Sequence, residues 1–99
     1  MNSYRFLSPA EDEMTEAALF YESRSVGLGN DFLDDVQRAV DRLCEYPYSG
    51  ELVDTNLRRT LLHRFPFNLI YGIERQSIVI IAVATMAARA PGYWRSRVN

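Results

Sequence analysis

The sequence predicts an α+β domain: one strand, an αα-hairpin and then a three-stranded antiparallel meander, with both helices packed on one face of a small antiparallel sheet. Three observations carry this prediction. Residues 78–84 form a continuous apolar run, β-branched in five of seven positions and too short to span a membrane, so it reads as a strand buried on both faces. Residues 67–74 alternate, with Phe67, Leu69, Tyr71 and Ile73 on one side and Asn68, Ile70, Gly72 and Glu74 on the other. Two earlier stretches place apolar residues at helical spacing.

In chain order, Tyr4-Arg5-Phe6-Leu7 alternates weakly and predicts a short strand near a sheet edge. Ser8-Pro9-Ala10-Glu11 then reads as a helix start, with Ser8 as N-cap, Pro9 at the first helical position and Glu11 closing a capping box. Met14, Ala17, Ala18 and Tyr21 form the stripe that faces the sheet. Glu11, Asp12, Glu13 and Glu16 read as a solvated face that complements the helix dipole, not as catalytic carboxylates.

The glycines of residues 25–30 break the helical pattern, and Asn30 is placed to cap a second helix from Asp31 to about Tyr46. Phe32, Leu33, Val36, Val40 and Leu43 are its apolar positions, with Cys44 beside them as a small filler. Residues 51–56 read as a polar link. The next strand, residues 57–65, places Arg58, Thr60, Leu62 and Arg64 on one face and Arg59, Leu61, His63 and Phe65 on the other, and the pattern does not decide which is buried. Phe65-Pro66-Phe67 is a hinge, and Glu74-Arg75-Gln76-Ser77 a short hairpin loop.

A chain of 99 residues that is 47% hydrophobic fits a single domain over residues 1–99, with a core that needs no metal or disulfide staple. A lone cysteine and an N-terminus without a basic start or apolar stretch point to a reduced, cytoplasmic setting. The net charge of −2 hides an asymmetry: residues 1–50 carry four Arg against ten acids, and residues 51–99 carry seven Arg against three. The C-terminal half is the anion-facing half. There is no lysine, which excludes lysine nucleophiles, Schiff bases and lysine general bases.

No phosphate-binding glycine loop, zinc ligand set, nucleophile elbow or HExxH motif occurs, and no cofactor or metal is expected. The candidate functional residues are Arg58, Arg59, Arg64, Arg89, Arg95 and Arg97, with His63, Tyr93 and Trp94. Guanidinium groups pair bidentately with anions and stack on aromatic rings, which suits phosphates, acidic protein surfaces or bases. Equally, Tyr93 and Trp94 suit capping of the sheet's end, and His63 suits an ordinary strand position.

One resemblance covers nearly the whole chain. Gly29-x-x-Phe32 opening the second helix, Tyr46-Pro47-x-x-Gly50 closing it, Leu57-Arg58-Arg59, Arg64-Phe65-Pro66-Phe67-x-x-Ile70-Tyr71, and the terminal Arg89-x-Pro91-x-Tyr93-Trp94-x-x-Arg97 resemble the ParE/RelE superfamily of type II toxin–antitoxin toxins, its ParE-like branch in particular. The resemblance implies the fold above, a cognate ParD-like antitoxin wrapped around the toxin, and DNA gyrase as a target inhibited by binding through Arg58, Arg59, Arg64, Arg89, Tyr93, Trp94 and Arg97. It implies neither membrane association nor sequence-specific DNA binding by this chain alone. The RelE-like alternative is a ribosome-dependent mRNA endoribonuclease, for which this chain offers Arg64, Arg89, Tyr93 and His63. A third possibility is a non-toxic member retained for antitoxin binding. The chain departs from the family pattern at Met86, Ala88 and Ala90, where His, Arg and an acid are common. An acidic pI of about 5.3 favours the gyrase expectation over an RNA-directed one.

Overall fold

The computed structural model describes residues 3–86 and 92–98. The elements run β1 (Ser3–Phe6), α1 (Ser8–Arg24), α2 (Leu28–Glu45), β2 (Glu51–Leu52), β3 (Arg58–Leu61), β4 (Phe67–Glu74), β5 (Ser77–Thr85) and a C-terminal 3-10 helix (Tyr93–Arg97). The strands form one five-stranded sheet in the order β1-β5-β4-β3-β2. Thus β5 lies inside the sheet, with β4 along its length and β1 beside Ser77–Ile80, and every residue from Ile78 to Ala84 is buried.

The two faces of the sheet have separate cores. On one face Leu69, Tyr71, Ile78, Ile80 and Val83 meet Ala10 and Ala17 of α1 and Phe32, Val36, Ala39, Val40 and Leu43 of α2. On the other, Leu57, Ile70, Ile81 and Ala82 are covered by Trp94. The faces can share β5 because its pairing with β4 slips: Ile70 opposes Ala82 while Tyr71 opposes Ile80, leaving Ile81 as an extra residue at a bulge.

The α+β architecture with both helices on one face is as the sequence predicts, but the sheet is mixed and not wholly antiparallel. β1 runs parallel to β5, Ser3 opposite Ser77 and Phe6 opposite Ile80. A parallel neighbour needs a long crossover, and here the helical hairpin and the other strands all lie between β1 and β5. The expected polar link also contributes β2, whose Glu51 and Leu52 pair with Arg59 and Arg58.

Helix boundaries differ for local reasons. The Ser8 capping box does not form: Leu7 is the extended N-cap residue and no side chain caps the helix. Leu7 N–H is bonded to Ile80 O at 2.9 Å, and its carbonyl accepts the first helical bond, from Glu11 N–H at 3.0 Å. The chain therefore passes from strand to helix without a turn. At α2, the helix starts at Leu28 instead of Asp31, because the Glu22 carboxylate accepts the N–H groups of Gly27 and Gly29 at 3.0 Å and satisfies donors that a helix start leaves open. Gly29 is required there, since a Cβ would sit 2.6 Å from Ala18 O and push the helices apart.

The strand expected over residues 57–65 is shorter than its pattern. Beyond Leu61 the chain bends, burying Leu62 and Phe65 while His63 and Arg64 stay exposed. Phe65 joins Tyr21, Phe32 and Phe67 in an aromatic cluster with centroid separations from 4.7 to 6.3 Å.

Two predictions follow from this packing. Ile80 is fully buried, so Ile80→Asp places an unpaired carboxylate in the core. Loss of the cooperative transition in urea, followed by circular dichroism, is the expected result. At the β4–β5 hairpin, Arg75 and Gln76 occupy the left-handed region with φ of 50° and 66°, the conformation of a two-residue turn that favours Asn-Gly. Replacing the pair by Asn-Gly should stabilise the fold by about 1 kcal/mol, raising Tm by roughly 4–8 °C.

Candidate functional site

The C-terminal 3-10 helix is tied back to α1 through a carboxylate. Glu13 Oε1 accepts the Val83 N–H at 3.0 Å and Arg97 Nη1 at 2.9 Å, while Oε2 accepts Arg97 Nη2 at 3.0 Å and the Tyr93 O–H at 2.7 Å. The Arg97 fork is bidentate, and Arg97 also donates to Ile81 O at 3.0 Å and lies over the Tyr93 ring. Only 13% of the Glu13 side chain and 16% of the Arg97 side chain remain exposed. Glu13 is therefore not the solvated, dipole-complementing acid expected from its neighbours; its partners lie too far along the chain for a local pattern to reveal them. Burial pushes its carboxyl up, but hydrogen bonds from Arg97, Tyr93 and Val83 N–H, with the Arg97 charge, outweigh burial and hold it below its ordinary value. The same hydrogen bond holds the Arg97 guanidinium more firmly protonated.

Trp94 is buried against the open face of the sheet, with the Arg95 guanidinium 5.0 Å from its ring centroid. Arg95 in turn pairs with Asp54 at 2.9 Å. Of the expected C-terminal set, Tyr93, Trp94 and Arg97 come together as a support that covers the sheet. Arg89 lies outside the described residues, as do Ala88 and Ala90.

The strand arginines are dispersed. Arg58 donates to Tyr48 O at 3.2 Å and Gly50 O at 2.7 Å, and lies over the Tyr48 ring. Arg59 pairs with Glu51 at 2.6 Å, and Arg64 with Asp31 at 3.6 Å, both leaving about half of the guanidinium side chain exposed. His63 lines a separate groove with Arg42 and Tyr46, whereas Tyr93 lines cavities on either side of the 3-10 helix. His63 and Tyr93 thus line different cavities.

Two residues that the sequence did not single out shape this region. Asp35 is 1% exposed and accepts the backbone N–H groups of Arg64 at 2.8 Å and Phe65 at 3.3 Å, which pins the turn that displays His63 and Arg64. An Asp on the buried stripe of α2 was the available signal. Asn68 lies on the open face beside a cavity of about 260 Å³ that Arg59, Trp94 and Arg95 also line. Its Oδ1 is buried without a hydrogen-bond partner among the described residues. Cations, an aromatic edge and an unsatisfied acceptor can hold an anionic or hydrogen-bonding group, but this arrangement offers no base–nucleophile pair. Among the described residues no group of three or more His, Cys, Asp or Glu could hold a metal ion, and no helix is long and apolar enough to cross a membrane.

A strand, an αα-hairpin and a sheet carrying both helices on one face make up the architecture that the ParE/RelE resemblance implies. Among solved structures, a chain of the chromosomal ParDE TA system from P. aeruginosa is similar with a TM-score of 0.60 and 16% identity, covering 84% of this chain and 94% of that one. The isolated E. coli RelE toxin is similar with a TM-score of 0.63 and 16% identity, covering 95% of this chain and 93% of that one. At such identity the likeness is one of fold. No family model and no curated protein matches the chain.

The Glu13 clamp yields a stability prediction. Glu13→Gln removes the charge that Arg97 faces in a largely buried site and should cost on the order of 3 kcal/mol. Because the folded carboxyl is depressed, its contribution is complete above the ordinary value of 4.5 and is lost as pH falls through the lower folded value. Denaturant titrations at pH 7 and pH 3 should therefore show a smaller acid-induced loss for the variant than for the parent.

Proposed function

We propose that this chain is the toxin of a type II toxin–antitoxin module, neutralised by a cognate antitoxin, and that it acts by binding DNA gyrase. The observation that carries this reading is the shared fold, over most of the chain, with a chain of a ParDE TA system and with the RelE toxin. Binding is favoured over catalysis by the separation of the candidate proton-transfer groups: the Tyr93 phenol is bonded to Glu13, and His63 lies in another groove. Arginine remains protonated, so it serves as an electrostatic clamp and not as a general base. In this reading the half-exposed Arg59 and Arg64 contact the target, while Tyr93, Trp94 and Arg97 hold the surface in shape. Arg58 and Arg89 complete the proposed set. The module is cytoplasmic, and the chain acts as a single domain.

The ribonuclease alternative draws on the open-face cavity, where Arg59, Asn68, Trp94 and Arg95 could meet a nucleotide. Purified protein is expected to inhibit gyrase supercoiling and to leave mRNA intact in a translating extract. Arg59→Ala combined with Arg64→Ala should weaken that inhibition at least tenfold without lowering Tm by more than a few degrees, since surface ion pairs contribute about 0–1 kcal/mol each. Cleavage of the mRNA, abolished by Tyr93→Phe, overturns the gyrase reading in favour of the ribonuclease. Silence in both assays, with the product of the adjacent reading frame still captured on co-expression, leaves a protein retained for antitoxin binding.

A further inference from the structure

β3 begins at Arg58 while β4 runs on to Glu74, so Gly72 and Ile73 extend past the last pair of that ladder, Arg58 opposite Tyr71. The chain before β3 closes part of the gap with a tight turn. Val53 N–H and Asp54 N–H both donate to Leu57 O, at 2.9 and 3.4 Å. The turn lies close over Gly72, where a Cβ would stand 3.3 Å from Leu57 Cδ2 and 3.6 Å from Asn56 O. A cavity of about 340 Å³ remains, bounded by the turn, by Tyr48 and Leu52, and by Ile73 of β4.

Of the described residues that line this cavity, Arg58 alone is charged. Its guanidinium is half-buried and fixed in place: Nη1 donates to Gly50 O at 2.7 Å and to Tyr48 O at 3.2 Å, and the group lies 5.4 Å from the Tyr48 ring centroid. Both bonds use Nη1. The N–H donors on Nε and Nη2 therefore have no partner among the described residues, and no carboxylate there stands at ion-pair distance. Arg59, Arg64, Arg95 and Arg97 each face an acid instead. Burial raises the pKa of the neighbouring Tyr71 phenol, so that group stays neutral and supplies no counter-charge. The Thr55 hydroxyl and the Asn56 amide, also in the lining, have no side-chain hydrogen bond among the described residues.

We propose that this cavity binds a small phosphate monoester. The free Nε–Nη2 edge of Arg58 takes two phosphoryl oxygens as a bidentate fork, and the Thr55 hydroxyl and Asn56 amide donate to the third. A carboxylate also fits the fork but has no oxygen left for the other two donors. Partial burial strengthens the pairing, because an anion meets the guanidinium in a medium less polar than water. The ester group lies beside Tyr48 and Leu52, both exposed. This site differs from the open-face cavity, whose Arg59 and Arg95 are already paired with Glu51 and Asp54. It goes beyond the toxin reading and does not depend on it.

The test titrates isotope-labelled protein with phenyl phosphate at constant ionic strength, and in a parallel series with phthalate, an aromatic dianion whose charge sits on carboxylates. Saturable amide shift changes centred on residues 48–58 and 71–73 are expected with phenyl phosphate, with phthalate about tenfold weaker. Arg58→Lys keeps the charge and loses the fork, and Thr55→Val loses one donor at an exposed side chain; each should weaken phenyl phosphate about tenfold. Dispersion of each variant's spectrum reports its folding. Should Arg58→Lys lose dispersion, Thr55→Val alone decides. In the parent, Tm should rise with phenyl phosphate, as it does for any ligand that binds only the folded state. Equal binding of phthalate, shift changes centred on Arg59 and Arg64 instead, no saturation at millimolar phenyl phosphate, or undiminished binding by Thr55→Val overturns the proposal.

Discussion

The fold depends on one desolvation constraint: β5 must be covered on both faces and both edges. Its seven consecutive buried residues include three Ile and two Val, each contributing about 1.5–3 kcal/mol when fully removed from water. No single layer can satisfy that demand. The helical hairpin covers one face, and the chain returns after β5 to lay Trp94 on the other. The mixed sheet follows from the same need, since β1 pairs with Ser77–Ile80 on the edge of β5 that the meander leaves open, and Arg97 and Glu13 take Ile81 O and Val83 N–H beyond it. The bulge at Ile81 lets residues of β5 serve two cores within one strand.

Features legible in the sequence are those whose causes are local. Residues 78–84 identify β5 because a continuous β-branched run has few alternatives, and the Phe67–Glu74 alternation identifies β4 because its helical face and open face bury different residues. What was missed has long-range causes. Glu13 looks like one acid among four, yet its partners are 70 to 84 residues away. The parallel direction of β1 depends on the path of the whole chain, and β2 is two residues whose pairing comes entirely from β3. Asp35 was nearer to being readable, because a carboxylate on the stripe of Phe32, Val36 and Val40 has to find donors once buried.

Charge counting reads this protein only in part. The basic C-terminal half is present in the sequence, but the structure divides its arginines into different tasks. Arg97 closes a largely buried clamp, Arg58 orders a loop through backbone carbonyls, and Arg59 and Arg64 remain half-exposed in ion pairs. Exposed pairs exchange partners at little cost, whereas breaking the buried one leaves an uncompensated charge. The arginine count of the C-terminal half therefore overstates how many of its guanidinium groups stand free of structural tasks.

The clamp between Glu13 and the end of the chain also sets the order of events at birth. Glu13 waits for Val83, 70 residues downstream, and for Arg97 after that. At synthesis rates of about 5–20 residues per second, the first of these intervals lasts roughly 4–14 s. β1 waits in the same way for β5. Until residues 77–97 have been made, the first strand and helix have neither their sheet partner nor their clamp, and the apolar side of the hairpin has no sheet to rest on. The fold thus closes only after residues 77–97 have emerged, long after its first strand and helix were made.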